Sequence, residues 1–380
     1  MRGGLWCGLV CLLVASCANR LVSVLLSAAL PLLALPAVAQ QLLPKAATLR
    51  GDLKLETIHS AALEHNLLGD SADRPLYVYL PPSYATGQRR YPVLYFLHGY
   101  TVDYREEGEN IAPIVDRAFA AGLASEMIVV FPDGSTRLGG SFYADSLATG
   151  NFEQYVTQEI VSYVDRKYRT LPTPASRGLM GHSMGGNGAL RLAMKHPEIY
   201  SAVYALNACC MIWADDFSLS DPAWNATLAM RSVNDLKRAA SLNSQAFMAI
   251  GASWSANRRP PFFADLPVTS VDGKLAPVEQ VAARWSTQMP VALVDLFQDN
   301  LRRLRGIGFE AGREDSPHIT TGARLFSQAL IRNGIEYQYL QYEGDHLDQY
   351  EGDHKYGLGE RIAMRVLPFF SEKLAFHRGE

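Results

Sequence analysis

One serine lies in a sequence context that suits nucleophilic chemistry. The segment Gly181-His182-Ser183-Met184-Gly185 fits the pattern Gly-x-Ser-x-Gly, in which a serine occupies a tight turn between a strand and a helix. A serine hydroxyl is a weak nucleophile unless a base removes its proton and its oxygen stands clear of neighbouring side chains. The flanking glycines leave room for so sharp a turn. The sequence therefore predicts Ser183 as a nucleophile.

A base for this serine must be a histidine later in the chain. Proteins with this elbow have the order serine, acid, histidine, and the histidine belongs on a loop after the last strand. Five of the nine histidines follow the serine, namely His196, His318, His346, His354 and His377. Residues 337–342 have the pattern of the last strand, so we predict His346 as the base. His354, in a second Glu-Gly-Asp-His copy, is the alternative.

The acid should follow the strand before that one. Asp315 is the predicted acid because the chain has by then left the strand that ends near Gly312. Glu314 is its neighbouring rival, and we expect Glu310 to be buried within the strand. If residues 246–252 formed the seventh strand instead, Asp265 would take the role. The acid holds the histidine tautomer and stabilises the imidazolium.

An oxyanion formed during acyl transfer needs two preorganised donors. The elbow supplies the backbone N–H of the residue after the nucleophile, which is Met184. The second donor should come from the loop after the third strand, where we predict the N–H of Tyr100, with that of Thr101 as the alternative. His98 precedes the serine, and we expect it to be structural.

We predict neither a metal nor a cofactor. Acidic residues and histidines crowd together at 345–354, and Asp215 and Asp216 are adjacent, but neither group has the spacing of a zinc site. The sequence has no Gly-x-Gly-x-x-Gly or Walker loop for a nucleotide. With a net charge of −3 and no basic cluster, we expect no nucleic-acid partner.

The elements that must position these residues alternate between strand and helix. Apolar runs and alternating patterns predict strands at 53–58, 76–80, 91–97, 127–131, 177–180, 201–206, 304–309 and 337–342. Helical spacing predicts helices at 111–123, 151–168, 188–194, 321–333 and 360–374. Such alternation predicts an α/β fold with a mostly parallel central sheet and helices on both faces.

The alternation fails over residues 211–300, which we interpret as an insertion after the sixth strand. The insertion contains four of the five tryptophans: Trp213, Trp224, Trp254 and Trp285. It is too long for a plain loop and too apolar to be disordered. Two interpretations stay open, a structural insertion with its own small core and a cap that shapes an aromatic substrate pocket near Ser183.

Residues 1–39 form a predicted export leader. Between Leu5 and Ala39 the only charge is Arg20, and Ala37-Val38-Ala39 resembles a signal cleavage site. Cleaved export to a secreted or periplasmic location is the first interpretation. A lipoprotein end at Cys17 and a retained membrane anchor follow as alternatives, and they are the only membrane contacts that we expect. The catalytic domain would then comprise residues 40–380.

Only two cysteines follow the leader, and they are the adjacent pair Cys209 and Cys210. Neighbouring cysteines rarely bridge each other, so we expect no disulfide framework and a core that holds the fold unaided.

Several segments together resemble the esterase D-like family of α/β hydrolases, which includes feruloyl and acetylxylan esterases, S-formylglutathione hydrolase and mycolyltransferases. The segments are Tyr95–Gly99, Phe131–Gly134, Ser141–Asp145, Gly181–Gly186 and Gly344–His346. The resemblance implies an α/β-hydrolase fold over about Leu53 to Leu374. The family places its acid in Gly-x-x-Asp, which Gly312–Asp315 matches, and its histidine in Gly-Gly-His, from which Gly344-Asp345-His346 departs at the middle residue.

The leading functional hypothesis is therefore a secreted serine carboxylesterase that hydrolyses small-molecule or polysaccharide-linked esters through an acyl-enzyme. An acyltransferase that passes the acyl group to an alcohol or sugar is the alternative, because the acceptor depends on how well the site excludes water. A non-catalytic binding protein is disfavoured, since every triad position is filled.

Overall fold

The chain builds one large sheet whose strands supply the turns that carry the site residues. The computed structural model describes residues 48–213, 217–239, 241–346 and 357–376. Within these residues the strands are β1 Asp52–His59, β2 Asp73–Leu80, β3 Val93–Leu97, β4 Ile128–Pro132, β5 Asp145–Ser146, β6 Gly150–Asn151, β7 Arg177–His182, β8 Ala202–Leu206, β9 Val268–Val271, β10 Lys274–Pro277, β11 Gly306–Gly312 and β12 Gln338–Tyr342.

Helices connect most of these strands. They are α1 Tyr104–Ala120, α2 Phe152–Gln154, α3 Val161–Lys167, α4 Met184–Lys195, α5 Ala223–Ala229, α6 Val233–Arg238, α7 Leu242–Trp254, α8 Glu279–Ser286, α9 Pro290–Leu293, α10 Gln298–Arg303, α11 Pro317–Arg332, α12 Leu358–Arg361 and α13 Leu367–Lys373. The π-helical turns Tyr155–Ile160 and Ile362–Val366 join α2 to α3 and α12 to α13.

The central sheet has eight strands in the order β1-β2-β4-β3-β7-β8-β11-β12. The pairs β1–β2 and β2–β4 are antiparallel, and the remaining pairs are parallel. Because parallel strands run in one direction, their carboxyl ends meet at the same edge. The predicted α/β-hydrolase fold with a mostly parallel sheet is confirmed.

Both faces of the sheet are buried, which explains the continuous apolar run of β3. Tyr95 and Leu97 belong to one hydrophobic cluster, and Leu94 and Phe96 belong to the cluster on the opposite face. Since successive side chains of a strand point to opposite faces, a strand covered on both sides must be apolar at every position.

The first helix begins earlier than the apolar spacing predicts. Helix α1 starts at Tyr104 because Asp103 caps it, accepting hydrogen bonds from the backbone N–H groups of Arg105 and Glu106. Three charged residues follow Tyr104 in the first turn, so this part of the helix has no apolar spacing that the sequence pattern could show.

Where the structure describes it, the insertion consists mainly of helices α5 to α10 with the hairpin β9–β10. The alternative that residues 246–252 form a strand is wrong, because they lie inside α7, whose start Ser241 caps by accepting from the N–H of Ser244. Trp224 and Trp285 are fully buried, whereas Trp213 is partly exposed. The aromatic rings of the insertion pack against one another, and the buried ones belong to the same hydrophobic cluster as one face of the central sheet.

Aromatic contacts connect the insertion to the loops that follow β3 and β4. The ring of Trp254 packs edge-on against Trp285 and Phe142, with centroid separations of 5.8 and 5.7 Å, and Phe142 lies 5.9 Å from Tyr100. The insertion thus supports the loop that follows β3. Among the described residues no helix is long and apolar enough to cross a membrane. The predicted leader lies outside the described residues.

Candidate active site

Ser183 occupies a sharp turn between β7 and α4. Its backbone has φ 55° and ψ −114°, a conformation that residues other than glycine rarely adopt. Close backbone contacts explain the two glycines around it. A Cβ on Gly181 would lie 2.2 Å from the carbonyl oxygen of Gly185, and one on Gly185 would lie 1.9 Å from that of Leu97. The turn can therefore form only where both positions lack a side chain.

Three side chains from separate loops meet at this turn. His346 Nε2 lies 2.8 Å from Ser183 Oγ, and His346 Nδ1 lies 3.0 Å from Asp315 Oδ2. The carboxylate can only accept, so Nδ1 carries the proton and Nε2 is left to accept from the serine hydroxyl. The side chain of Asp315 is fully buried, and its other oxygen accepts the N–H of Ser316 at 2.7 Å. This is the geometry of a serine poised to lose its proton to a histidine.

The rival acids have other surroundings. Glu314 is exposed, although it is adjacent to Asp315 in sequence. Glu310 is 1% exposed within β11 and forms an ion pair with Arg361. Asp265 pairs with Arg259 and Arg284 in the insertion, so the structure contradicts its assignment as the acid. The rival base, His354, lies outside the described residues.

A buried network of polar side chains holds the loop that carries His346. The amide Nδ2 of Asn207, at the end of β8, donates to Tyr342 Oη at 2.6 Å and to the carbonyl oxygen of Asp345 at 3.2 Å. Tyr342 Oη also lies 2.9 Å from that same carbonyl. Side chains at the ends of β8 and β12, the two strands that flank β11, thus hold the residue immediately before His346.

Charged groups complete this network. Arg361 Nη2 donates to Tyr342 Oη at 3.0 Å, and its guanidinium lies 3.6 Å from the centroid of the Tyr342 ring. The Nε of the same arginine donates to Glu310 Oε1 at 2.5 Å. Burial raises the pKa of Glu310, and the charge of Arg361 opposes that rise. The ion pair therefore sits where removing one partner would leave a buried charge uncompensated.

The residue before the nucleophile also holds this loop. His182 Nε2 donates to the backbone carbonyl of His346 at 3.1 Å, and the two rings lie 4.9 Å apart. Burial, followed by the positive charge that His346 can carry, lowers the pKa of His182 to about 3. Sequence reasoning missed both His182 and Asn207. The only signal for His182 was its place inside the elbow pattern, and Asn207 had none beyond its position at a strand end.

Two backbone amides are available to stabilise an oxyanion. Among the described residues, neither the N–H of Met184, at the first position of α4, nor that of Tyr100 has an intramolecular acceptor. The alternative donor, the N–H of Thr101, already bonds to the carbonyl of Gly139 at 3.1 Å. The structure thus disfavours Thr101 and leaves Tyr100 as the candidate from this loop.

His98 links two loops at the edge of the site. Its Nδ1 donates to the carbonyl of Gly99 at 2.8 Å, and its Nε2 accepts the N–H of Gly134 at 2.8 Å. Both ring nitrogens are therefore engaged in holding the loop after β3 against the loop after β4. Within the described part of the chain, no group of three or more histidine, cysteine or acidic side chains is placed to hold a metal. Most of the acidic stretch 345–354 lies outside it.

Comparison with known proteins agrees with this architecture. Residues 71–358 match the model of the family described as "Putative esterase". Bovine (Bos taurus) S-formylglutathione hydrolase is 32% identical over 168 residues, which cover 39% of this chain and 56% of the bovine protein. The chain thus spans about half the length of the curated relatives that it matches.

Solved structures share the fold. A ferulic acid esterase superposes with a TM-score of 0.58 at 21% identity, covering 86% of this chain and all of that chain. An S-formylglutathione hydrolase from Agrobacterium tumefaciens gives a TM-score of 0.57 at 19% identity, covering 87% of this chain and 98% of that one. The family match extends over most of the chain and includes the elbow, the acid loop and the histidine loop. The chain belongs to this esterase family.

Proposed function

We propose that this protein is an exported serine esterase that hydrolyses carboxylic esters through an acyl-enzyme. Ser183 is the nucleophile, His346 the general base and Asp315 the acid that orients it. The observation that carries the proposal is the hydrogen-bonded chain of 2.8 Å from Ser183 to His346 and 3.0 Å from His346 to Asp315. Family membership supports the same chemistry.

The proposed reaction has two halves. Ser183 Oγ attacks the ester carbonyl while its proton passes to His346 Nε2, and the imidazolium is stabilised by the carboxylate of Asp315. The N–H groups of Met184 and Tyr100 donate to the carbonyl oxygen as it becomes negative. The intermediate collapses, the C–O bond to the alcohol breaks, and the alcohol leaves with the proton from His346. A water molecule then repeats the sequence on the acyl-enzyme and releases the acid.

The test is turnover of a short-chain p-nitrophenyl ester by the purified protein. We expect Ser183→Ala and His346→Ala to lose activity by at least about 10⁴-fold, since each removes a reacting group. His354→Ala is the matched control, because it changes the histidine of the second Glu-Gly-Asp-His copy, and it should stay near wild type. Activity that survives in Ser183→Ala would overturn the proposal, and loss in His354→Ala alone would transfer the base to that residue.

Water is the proposed acyl acceptor, and acyl transfer to an alcohol or sugar is the outcome against which it is tested. Turnover is repeated with added alcohols or sugars, and the products are separated by chromatography and identified by mass spectrometry. Free acid as the only product supports hydrolysis, whereas transfer esters that dominate at low acceptor concentration would replace the hydrolase with a transferase. Feruloyl and acetyl esters are the first natural classes to screen, because we propose an extracellular substrate.

Export is part of the proposal and rests on the apolar leader and the Ala37-Val38-Ala39 sequence. We expect the protein recovered outside the cytoplasm to begin at Gln40. N-terminal sequencing measures this directly. A chain that starts at residue 1 would indicate a retained membrane anchor. A chain that starts at a lipidated Cys17 would indicate a lipoprotein. Either result would contradict cleavage before Gln40.

A further inference from the structure

Two adjacent cysteines lie directly behind the nucleophile turn. Cys209 and Cys210 follow the end of β8, and their sulfur atoms are 2.8 Å apart. Cys209 is half-buried, whereas Cys210 is 7% exposed. Cys209 is therefore the more exposed residue of the pair, and the sulfur of Cys210 is placed to react with that of Cys209.

The backbone of this pair is bonded to the nucleophile turn. The N–H of Cys209 donates to the carbonyl oxygen of Ser183 at 3.2 Å. Asn187, fully buried in the first turn of α4, donates through Nδ2 to the carbonyls of Cys209 and Cys210 at 3.2 and 3.1 Å. The N–H of Asn187 also bonds to the carbonyl of Ser183 at 3.1 Å. The cysteine pair and the nucleophile turn thus form one hydrogen-bonded unit.

We propose that Cys209 and Cys210 are a modification site, a vicinal dithiol that low-molecular-weight disulfides oxidise reversibly, and that the oxidised form lowers the reactivity of Ser183. The part concerning reactivity rests on the proposed esterase function. The chemical part, closure of the sulfur–sulfur bond, stands independently of it.

The reaction is two successive thiol–disulfide exchanges. The thiolate of Cys209 attacks one sulfur of a small disulfide, which forms a mixed disulfide and releases one small thiolate. The thiolate of Cys210 then attacks the sulfur of Cys209 and expels the second small thiolate. The pair loses two electrons and two protons, and the small disulfide gains them as two thiols.

The geometry of neighbouring residues explains why the oxidised form is reversible and why it disturbs the turn. Consecutive Cα atoms are about 3.8 Å apart across a trans peptide, which is shorter than the roughly 4.4–6.8 Å usual across a disulfide. The ring between adjacent cysteines is therefore strained, and strained disulfides are the more easily reduced ones. The backbone of the pair must rearrange to close the ring. Its bonds to Ser183 and Asn187 transmit that rearrangement.

The experiment follows the thiols and the activity in the same sample of the full chain. The protein is equilibrated with glutathione disulfide or with dithiothreitol, alkylated and digested with trypsin. The peptide 196–231 contains Cys209 and Cys210 as its only cysteines. We expect it to lack two hydrogen atoms and to resist alkylation after oxidation. Hydrolysis of p-nitrophenyl acetate should fall by roughly 10- to 100-fold, as for a displacement of about 1 Å in a site, and return with dithiothreitol.

The variants Cys209→Ser and Cys210→Ser are the matched controls, since each removes one sulfur and keeps the backbone. In Cys209→Ser neither exchange takes place, so the ratio of activity with and without oxidant should be close to one. In Cys210→Ser the reaction stops after the first exchange, so the peptide should carry a glutathione adduct and no closed ring. A wild-type peptide that keeps both thiols, or that carries a glutathione adduct, would overturn the dithiol site. A closed ring with unchanged turnover would overturn the coupling to Ser183. If the reduced protein has no esterase activity, the proposed function fails while the peptide masses still decide the chemistry of the pair.

Discussion

The imidazole of His182 donates a hydrogen bond from Nε2 to the backbone carbonyl of His346, over 3.1 Å. The residue before the nucleophile therefore holds the backbone of the base, although the two are far apart in sequence. His182 stays neutral because burial lowers its pKa to about 3. It keeps one ring N–H for this bond throughout the pH range in which an ester hydrolase with a histidine base works.

Replacing His182 should reduce kcat more than it changes KM. His182→Leu removes the donor and frees the loop of His346, and we expect kcat to fall about 10-fold or more, because small displacements of a reacting group are costly. His182→Gln retains an N–H donor and should recover part of the loss. Steady-state kinetics on a p-nitrophenyl ester measure both variants. Equal kcat values for the wild type and His182→Leu would contradict a positioning role.

The same histidine should make the folded protein sensitive to acid. Between pH 6.5 and about 3 the unfolded chain binds a proton at residue 182 that the folded chain refuses. The free energy of unfolding therefore falls as the pH falls through this window, by up to about 1.4 kcal/mol per pH unit from this group. Denaturant unfolding at several pH values should show a smaller acid loss for His182→Gln. An identical slope in both proteins would sink the prediction.

Asp315→Asn should abolish most turnover while Glu314→Gln should not. The amide would favour the wrong histidine tautomer, and the corresponding change in a serine protease triad lowers kcat about 10⁴-fold. Glu314 is exposed and adjacent, so it is the matched control for loss of one negative charge in this loop. Comparison of kcat for the two variants decides between the acids. A larger loss in Glu314→Gln would reverse the assignment.

Tyr342→Phe should loosen the loop of His346 and destabilise the fold. The hydroxyl accepts from Asn207 and Arg361 and lies 2.9 Å from the carbonyl of Asp345. Its removal leaves buried groups unsatisfied, at a cost of about 1–3 kcal/mol. Chemical denaturation measures the change in the free energy of unfolding. The value of kcat for a p-nitrophenyl ester measures how far the looser loop impairs His346. Tyr337→Phe, which loses a hydroxyl bonded only to Ser327 Oγ among the described residues, is the control and should leave kcat unchanged.

Gly139→Ala should impair the oxyanion loop. A Cβ there would lie 2.8 Å from the ring of Tyr100, and the residue has φ +99°, so both contact and backbone strain push on the loop. We expect kcat to fall towards the 100-fold loss typical of a missing oxyanion donor. Gly122→Ala is the control, since its φ is +69° with no atom within 4 Å of the new Cβ. If both variants lose kcat equally, strain alone explains the loss.

Much of the architecture follows from local patterns. A strand buried on both faces must be apolar throughout, so the apolar run at residues 91–97 predicts a buried strand, and β3 lies within it. The alternation of strands and helices likewise predicts a mostly parallel sheet. The elbow pattern and the order serine, acid, histidine selected Ser183, Asp315 and His346. The structure then brings these three within hydrogen-bonding distance.

The insertion shows where local patterns stop. Residues 246–252 are apolar enough to be a strand or a buried helix, and only the Ser241 cap and the packing of the tryptophans select the helix. The apolar composition of the insertion is equally consistent with two hypotheses, a separate core and the wall of a substrate pocket. Which of its side chains are buried depends on contacts with residues that are distant in sequence, such as that between Trp254 and Phe142.

The sequence by itself predicted Ser183 as the nucleophile and the order of its partners, and it determined the class of fold. The elbow and each strand or helix are recognisable because each is encoded in residues that are close together along the chain. Only the tertiary structure decided what holds the base in place. Asn207 and Tyr342 are 135 residues apart, and they meet because β8 and β12 both border β11 and end at the same edge of the sheet. Contacts over such separations arise from sheet register and packing, which no local spacing records.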